Sequence, residues 1–263
     1  MSERIANIFF RLLYWYISKM DKKSDITFMN YGYSKDNLEI ALDDKDKKNK
    51  YSAQLYHYVA NKIDIKGKDI LEVGCGRGGG LSYINRYLFP KTVTGLDLNS
   101  KAIEFCRKNY SGENNTFFQG NAQLLKFESN SFDVVINVES SHRYNNMNKF
   151  LEEVHRVLKP GGYFLFADFR LQEEIEQLHD RLKRSNFKVV VHEIITSNVL
   201  EALKLSSKET ENLILKLAPK FMHGIGRKFA ATEGTPTFNK FVNHEFEYLS
   251  FVLTKQPIVR LSH

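Results

Sequence analysis

An α/β fold built on a parallel sheet with helices on both faces is predicted by three observations. Short apolar runs of strand length alternate with segments of helical period from Tyr51 to Asp168, the rhythm of right-handed βαβ units. The first run, Ile70, Leu71 and Val73, is apolar on both faces, as a strand buried between two helical layers must be. It opens into a loop carrying Gly74, Gly76, Gly78, Gly79 and Gly80, which lets the backbone turn sharply and a ligand approach where a Cβ would block it.

Taken in order, Tyr51 to Ile63 is an apolar-periodic helix, and the polar turn Lys66-Gly67-Lys68 separates it from the first strand. Leu81 to Leu88 reads as the first crossover helix and Thr92 to Leu98 as the second strand, ending in the acid Asp97. Ser100 is the expected N-cap of a helix over Ala102 to Asn109. Thr116 to Gly120 is a third strand and Ser131 to Ser140 a fourth. The helix Lys149 to Leu158 is expected to end at the turn Lys159-Pro160-Gly161-Gly162, which launches a fifth strand, Tyr163 to Asp168. Beyond it come a helix over Glu173 to Ser185 and a strand over Lys188 to Ile194. One or two amphipathic helices follow over Thr196 to Leu217, with a break at Ser206-Ser207-Lys208-Glu209, and Phe246 to Thr254 is the last strand. In an open sheet of this kind ligands sit at the carboxyl ends of the strands, where the polar residues singled out below fall.

With 263 residues the chain can bury a full core. Its two cysteines, Cys75 and Cys106, make no disulfide framework and fit a reducing cytoplasm. The net charge of +7 would suit an acidic partner, but basic residues are mostly interleaved with acids, as in Asp43 to Lys50, and no nucleic-acid motif accompanies them, so nucleic acid is not expected. Ile5 to Ile17 is too short to span a bilayer, which takes about 20 residues. Ile5, Ile8, Phe9, Leu12, Leu13 and Tyr16 recur at helical spacing. This helix either covers the site as a lid or rests on a membrane surface. A cytoplasmic location follows, with peripheral membrane contact as the alternative for this helix. No His, Cys or Asp cluster has metal-ligand spacing, so no metal is predicted.

Arg77 followed by glycines cannot complete a phosphate-binding loop. Gly74, Gly76 and Gly79 fit a dinucleotide pattern, but Glu72 closing the strand would repel a pyrophosphate and suits a ligand with a cationic centre and an ammonium group. S-adenosylmethionine has both. Asp97 lies 97 − 72 = 25 residues after Glu72, close to the offset of about 20 for an acid that takes ribose hydroxyls. The run EVGCGRG resembles the first motif of the class I methyltransferases. Asn121 and Ala122 stand where that family commonly carries Asp-Ala against the adenine amino group, and VLKPGGYFLFADF resembles a later family motif. A nearer resemblance runs through FMNYGY, QLYHYVA, EVGCGRGGGLSYINRYL, TGLDLNSKAIEFC, SFDVVINVESSHRY and HRVLKPGGYFLFADFR. These segments are similar to the mycobacterial phthiotriolone dimycocerosate methyltransferases and related fatty-acid O-methyltransferases.

The resemblance implies a Rossmann-like seven-stranded sheet with a helical lid. The expected units are a lid over residues 1–50, a cofactor-binding core over 51–195, a helical cap over 196–243 inserted before the last strand, and the final strand and tail over 244–263. It implies a methyltransferase using S-adenosylmethionine, held by Glu72, Gly74, Cys75, Gly76, Gly78, Gly79, Asp97, Leu98, Asn121, Ala122 and Asn137. The acceptor implied is an oxygen of a small apolar molecule: lipid, fatty acid, polyketide or terpenoid. Carbon methylation of an isoprenoid or sterol-like substrate and a non-catalytic S-adenosylmethionine-binding interaction module are the alternatives.

A hydroxyl acceptor must lose its proton near the transition state, whereas a carboxylate needs no base. His142 is the candidate base, with Glu139 orienting it or touching the cofactor; a loop histidine bonded only to backbone is the competing reading. Tyr31, Tyr33, Tyr144, Phe221 and Met222 are the candidate acceptor-pocket residues, with Met29, Phe229 and Phe241 beside them. Core packing accounts for any one of these equally well.

Overall fold

The computed structural model of the protein describes residues 21, 26–36 and 38–256. The amphipathic helix expected over residues 5–17 lies outside them. The strands are β1 (Asp69–Val73), β2 (Thr92–Asp97), β3 (Asn115–Gln119), β4 (Phe132–Val138), β5 (Leu158–Leu171), β6 (Phe187–Ile194) and β7 (Phe246–Lys255). The helices are α1 (Lys50–Ala60), α2 (Gly79–Tyr87), α3 (Ser100–Tyr110), α4 (Met147–Val157), α5 (Ile175–Arg184), α6 (Thr196–Leu217), α7 (His223–Phe229) and α8 (Pro236–Val242). The strands form one seven-stranded sheet in the order β3-β2-β1-β4-β5-β7-β6.

Successive strand residues point to opposite faces, and the core divides accordingly. Ile70 of β1 and Val134 and Ile136 of β4 pack with Leu55 of α1, Leu81 of α2, Ile103 of α3 and Val199 of α6. Leu71, Val73 and Val135 pack on the other face with Phe150 and Val154 of α4 and Leu178 of α5. Both faces are therefore covered, which is why the β1 run reads as continuously apolar.

The sheet is not wholly parallel. β7 runs antiparallel to both β5 and β6, so β6 points the same way as β5. The carboxyl end of β6 and the start of β7 then lie at the same edge of the sheet as the carboxyl ends of β1, β2 and β4. Leu171 pairs with Phe246, and Ile194 with Leu249. Helices α6, α7 and α8, inserted between β6 and β7, leave and rejoin the sheet at that edge. Chain direction alone brings them to the end where the order reverses between β1 and β4 and where such sheets bind ligands.

Three local expectations are corrected. The N-cap of α3 is Asn99, whose side chain accepts from Lys101 N and Ala102 N, rather than Ser100. Lys159 to Gly162 does not stand apart as a turn before β5 but is absorbed into it as a bulge, across which pairing jumps from Phe132–Leu158 to Val134–Tyr163. Helix α6 is unbroken across Ser206 to Glu209. The Ser206 hydroxyl donates to the Ala202 carbonyl at 2.8 Å, and the Ser207 hydroxyl accepts from Glu233 N at 2.9 Å, so these polar groups are satisfied without leaving the helix.

Candidate active site

The glycine loop is braced by its neighbours before any ligand is considered. The N–H groups of Gly74 and Cys75 donate to the Leu96 carbonyl at 2.7 and 3.1 Å. Gly76 N donates to Asp97 Oδ2 at 2.9 Å, and Asn99 N to Asp97 Oδ1 at 2.8 Å. Asp97 thus holds the loop against the end of β2. Gly76, at φ +52°, would meet only the Met29 thioether with an added Cβ, at 3.5 Å or more. The other glycines face protein. A Cβ on Gly74 would lie 2.0 Å from Ser140 Oγ, on Gly78 2.9 Å from Cys106 Sγ, and on Gly79 2.5 Å from the Thr27 carbonyl oxygen. On Gly80 it would lie 2.0 Å from the Tyr56 ring. An added Cβ thus finds room at Gly76, while at Gly74, Gly78, Gly79 and Gly80 the glycine makes room for the protein's own packing. Cys75 is buried, its thiol pushed up by its hydrogen bond with Cys106 and by burial.

Acidic side chains collect at the strand ends. Glu72 is fully buried. Tyr56 Oη donates to its Oε1 at 2.6 Å, while Oε2 has no hydrogen-bond partner among the described residues. Burial pushes the Glu72 carboxyl up to about 8, against the Tyr56 hydrogen bond and with help from Asp97. Glu139, just past β4, has a left-handed backbone at φ +46°, a strained conformation of the kind found at functional sites. Its Oε1 accepts from Tyr31 N at 2.7 Å and Tyr248 Oη at 2.9 Å, yet burial still pushes it up to about 8. Asp97 is also raised by burial, moderated by its backbone hydrogen bonds. Asn137 donates to the Val73 carbonyl at 2.7 Å and to Tyr144 Oη at 3.1 Å, leaving its buried Oδ1 unpartnered among the described residues. Unpartnered buried acceptors are costly. Glu72 Oε2 and Asn137 Oδ1 are groups that a cationic ligand with N–H donors would satisfy.

On the far side of Asp97, Leu98 is half exposed and Ala122 buried. Asn121 is exposed, and its Oδ1 accepts from its own turn, at Gln123 N, at 2.9 Å.

His142 lies in a 3-10 turn, Ser141–Arg143, that follows β4. Its Nδ1 sits 2.7 Å from Asp168 Oδ1, and its backbone N donates to Asp168 Oδ2 at 2.9 Å. Asp168 also accepts from Ser141 Oγ at 2.7 Å and pairs with Arg170 at 3.1 Å. Burial alone would raise the Asp168 carboxyl, but His142, Arg170 and these hydrogen bonds hold it below the usual carboxylate range. An ionised carboxylate only accepts, so Nδ1 carries the proton and Nε2 the lone pair. Burial lowers the His142 pKa more than Asp168 raises it. The result is a neutral imidazole whose buried Nε2 has no partner among the described residues.

The imidazole borders a cavity of about 340 Å³ together with Met29, Tyr31, Phe169, Leu213 and Met222, within the usual range for small-molecule sites. Its walls come from the segment before α1, the ends of β4 and β5, and helices α6 and α7. Glu139 also reaches it. Phe229 lines it as well, whereas Tyr33, Tyr144, Phe221 and Phe241 are not among its lining residues. Tyr33 is buried in a stack on Tyr58 at 4.3 Å. Tyr144 packs on Phe150 and joins its hydroxyl to Asn137 and Ser140. Phe221 is 82 % exposed.

Three contributors were not singled out from the sequence. Asp168 had a visible signal, an acid closing the apolar run Tyr163 to Ala167 just as Glu72 and Asp97 close theirs. Tyr56 and Tyr248, which hold the two raised carboxyls, read as ordinary core aromatics.

A family model described as a methyltransferase domain matches residues 71–166. The fatty-acid O-methyltransferase of Mycolicibacterium smegmatis is 41% identical over 220 residues, covering 83% of this chain and 80% of that protein. The phthiotriol/phenolphthiotriol dimycocerosates methyltransferase of Mycobacterium tuberculosis is 37% identical over 245 residues, covering 92% and 91%. Among solved structures, the [4+2]-cyclase SpnF superposes with a TM-score of 0.69 at 17% identity, covering 94% of each chain. The geranyl diphosphate C-methyltransferase of Streptomyces coelicolor superposes with a TM-score of 0.64 at 14% identity, covering 91% of this chain and 97% of that one. A cyclase and a methyltransferase on one scaffold show that these distant likenesses carry the fold alone.

Proposed function

The chain belongs to the S-adenosylmethionine-dependent methyltransferases related to fatty-acid O-methyltransferase and the phthiotriol/phenolphthiotriol dimycocerosates methyltransferases, and from that premise we propose that it methylates a hydroxyl oxygen of a long apolar acceptor. The single observation that carries this reading is His142: a neutral imidazole, locked by Asp168, whose buried Nε2 has no partner among the described residues, in a residue that lines a largely apolar cavity. The cosubstrate, when bound, supplies an electrophilic methyl group on a sulfonium. The protein's part is alignment, exclusion of water and removal of one proton. His142 Nε2 takes the acceptor's hydroxyl proton, and the ionised Asp168 stabilises the imidazolium that results.

Glu72 Oε2 and Asn137 Oδ1 would accept from the cosubstrate's ammonium end. Asp97, at the end of β2, would take the ribose hydroxyls. Gly74, Cys75 and Gly76 would line the methionine portion, with Leu98, Asn121 and Ala122 at the adenine end. Glu139 would face the sulfonium from β4. Residues 1–50 and the cap over 196–243 are assigned the lid role, with Tyr31 and Met222 against the acceptor. Contact of the N-terminal segment with a membrane belongs to the same proposal.

Incubation with methyl-labelled cosubstrate, a long-chain alcohol and the matching fatty acid tests the acceptor class. The expected product is a methyl ether, identified by mass fragmentation. A product methylated only on carboxylate or carbon would overturn the reading.

The raised carboxyls of Glu72 and Glu139 give a second expectation. With values near 8 against 4.5 for an ordinary glutamate, both are largely neutral at pH 7. Their contribution to the stability of the free protein is present below pH 4.5 and is lost as pH rises through about 8. A cation bound beside them favours the charged forms, so binding at pH 7 releases protons and tightens as pH rises towards 8. Calorimetric titration of S-adenosylmethionine in two buffers of different ionisation enthalpy reads this directly. Identical apparent enthalpies in the two buffers would show that neither carboxyl ionises on binding.

A further inference from the structure

The cap carries a surface that the site does not use. At the end of α6, in the turn that follows and within α7, Leu215, Phe221 and Ile225 are 50, 82 and 37 % exposed. Their neighbours Ile214, Leu217, Met222 and Phe229 line the cavity. One short segment is thus apolar on its inner side, towards the cavity, and again on its outer side. The same stretch holds Lys216, Lys220, Arg227 and Lys228, and no Asp or Glu occurs between residues 212 and 232. Arg227 is engaged by Glu211 at 3.3 Å. Lys220 and Lys228 are exposed, Lys220 directly beside Phe221. No helix among the described residues is long and apolar enough to cross a membrane, so any contact with a bilayer through them is peripheral.

Exposed aromatic and aliphatic side chains set among lysines in one short segment match an interface with apolar chains beneath and negative charge around it. We propose that this face of the cap docks on an anionic lipid bilayer, with Phe221 seated among the acyl chains and Lys220 and Lys228 against the headgroups. Docking there brings the cavity wall to the membrane, where a long apolar acceptor resides. The proposal rests on the lipid-acceptor reading only for this last consequence. The binding itself stands on the charge and exposure of the segment.

Co-sedimentation of the full chain with vesicles of phosphatidylcholine, alone or mixed with phosphatidylglycerol, tests it. The protein is expected to sediment with the mixed vesicles and far less with phosphatidylcholine alone. Phe221→Ser and the pair Lys220→Glu/Lys228→Glu should each weaken partitioning by about tenfold or more. Turnover of a short water-soluble alcohol should be unchanged in the lysine pair. Several outcomes would overturn the proposal: equal partitioning of variants and wild type, binding lost only on removal of residues 1–20, or a wild-type protein that self-associates through this face and ignores vesicles. Intact vesicle binding with no transfer to any alcohol would instead count against the catalytic reading and leave the docking face standing.

Discussion

Replacing His142 with Gln is expected to lower turnover by about 10²- to 10⁴-fold, the usual contribution of a positioned general base, while cosubstrate affinity and melting temperature stay near wild type. The glutamine amide can still meet Asp168 but offers no basic lone pair at the position of Nε2. Removing Asp168 is a harsher change. It accepts from Ser141, from His142 and from Phe169 N at 2.9 Å, and it pairs with Arg170, so its loss leaves a buried cation uncompensated. Asp168→Asn presents an amide that can donate to Nδ1. That favours the tautomer with hydrogen on Nε2, the wrong one for taking a proton. The pH profile separates catalysis from damage. In the wild type the rate should rise with pH through the His142 pKa, which burial holds below 6.5, and then level off. This limb should vanish in His142→Gln. Turnover within a few-fold of wild type would mean that the acceptor arrives already ionised, as a carboxylate does, and would overturn the hydroxyl assignment.

Gly80→Ala should destabilise the protein by about 2–6 kcal/mol, the sum of an overpacked core and a buried carboxyl left without its partner. The ordinary expectation has the opposite sign, since alanine is favoured over glycine within a helix by about 1 kcal/mol. Geometry decides the contest. The new Cβ would lie 2.0 Å from Tyr56 Cε1 and Cζ, and Tyr56 is 6% exposed with Phe28 against its ring at 6.0 Å, so the ring cannot step aside into solvent. If it is forced away, its hydroxyl leaves Glu72. At about 2–4 °C per kcal/mol for a chain of this size, the melting temperature should fall by roughly 5–20 °C, and S-adenosylmethionine affinity should fall with it. A melting temperature at or above wild type would show that Tyr56 can repack and that its approach to the helix is not required.

Much of this arrangement was legible in the chain itself because it is written in local pattern. The runs at β1, β2, β4 and β5 identify themselves by strand length and apolar content. Glu72 stands one residue before the end of β1, Asp97 at the end of β2 and His142 in the turn after β4, so chain order places all three near the carboxyl ends of strands. The failures came where local pattern was a poor guide. Ser206 and Ser207 look like a helix break, yet their hydroxyls bond within the cap and the helix continues. Tyr33, Tyr144 and Phe221 are as aromatic as Tyr31, but only three-dimensional packing decides which of the four meets the cavity. The glycines of the loop suggested ligand clearance at several positions, and most of them turned out to make room for protein.

The sheet strands, the glycine turn, the carboxylates beside it and the family they mark are legible in the chain, because each depends on residues near one another in it. The tertiary structure alone decided which groups share a hydrogen bond across long separations: His142 with Asp168, Glu72 with Tyr56, and Glu139 with Tyr31 and Tyr248. It also decided the protonation behaviour that follows, since burial and partner charge are properties of the folded surroundings and not of any residue's neighbours in sequence. The antiparallel return of β7, which sets the cap over the carboxyl edge, belongs to the same class: strand direction leaves no mark on the composition of the strand.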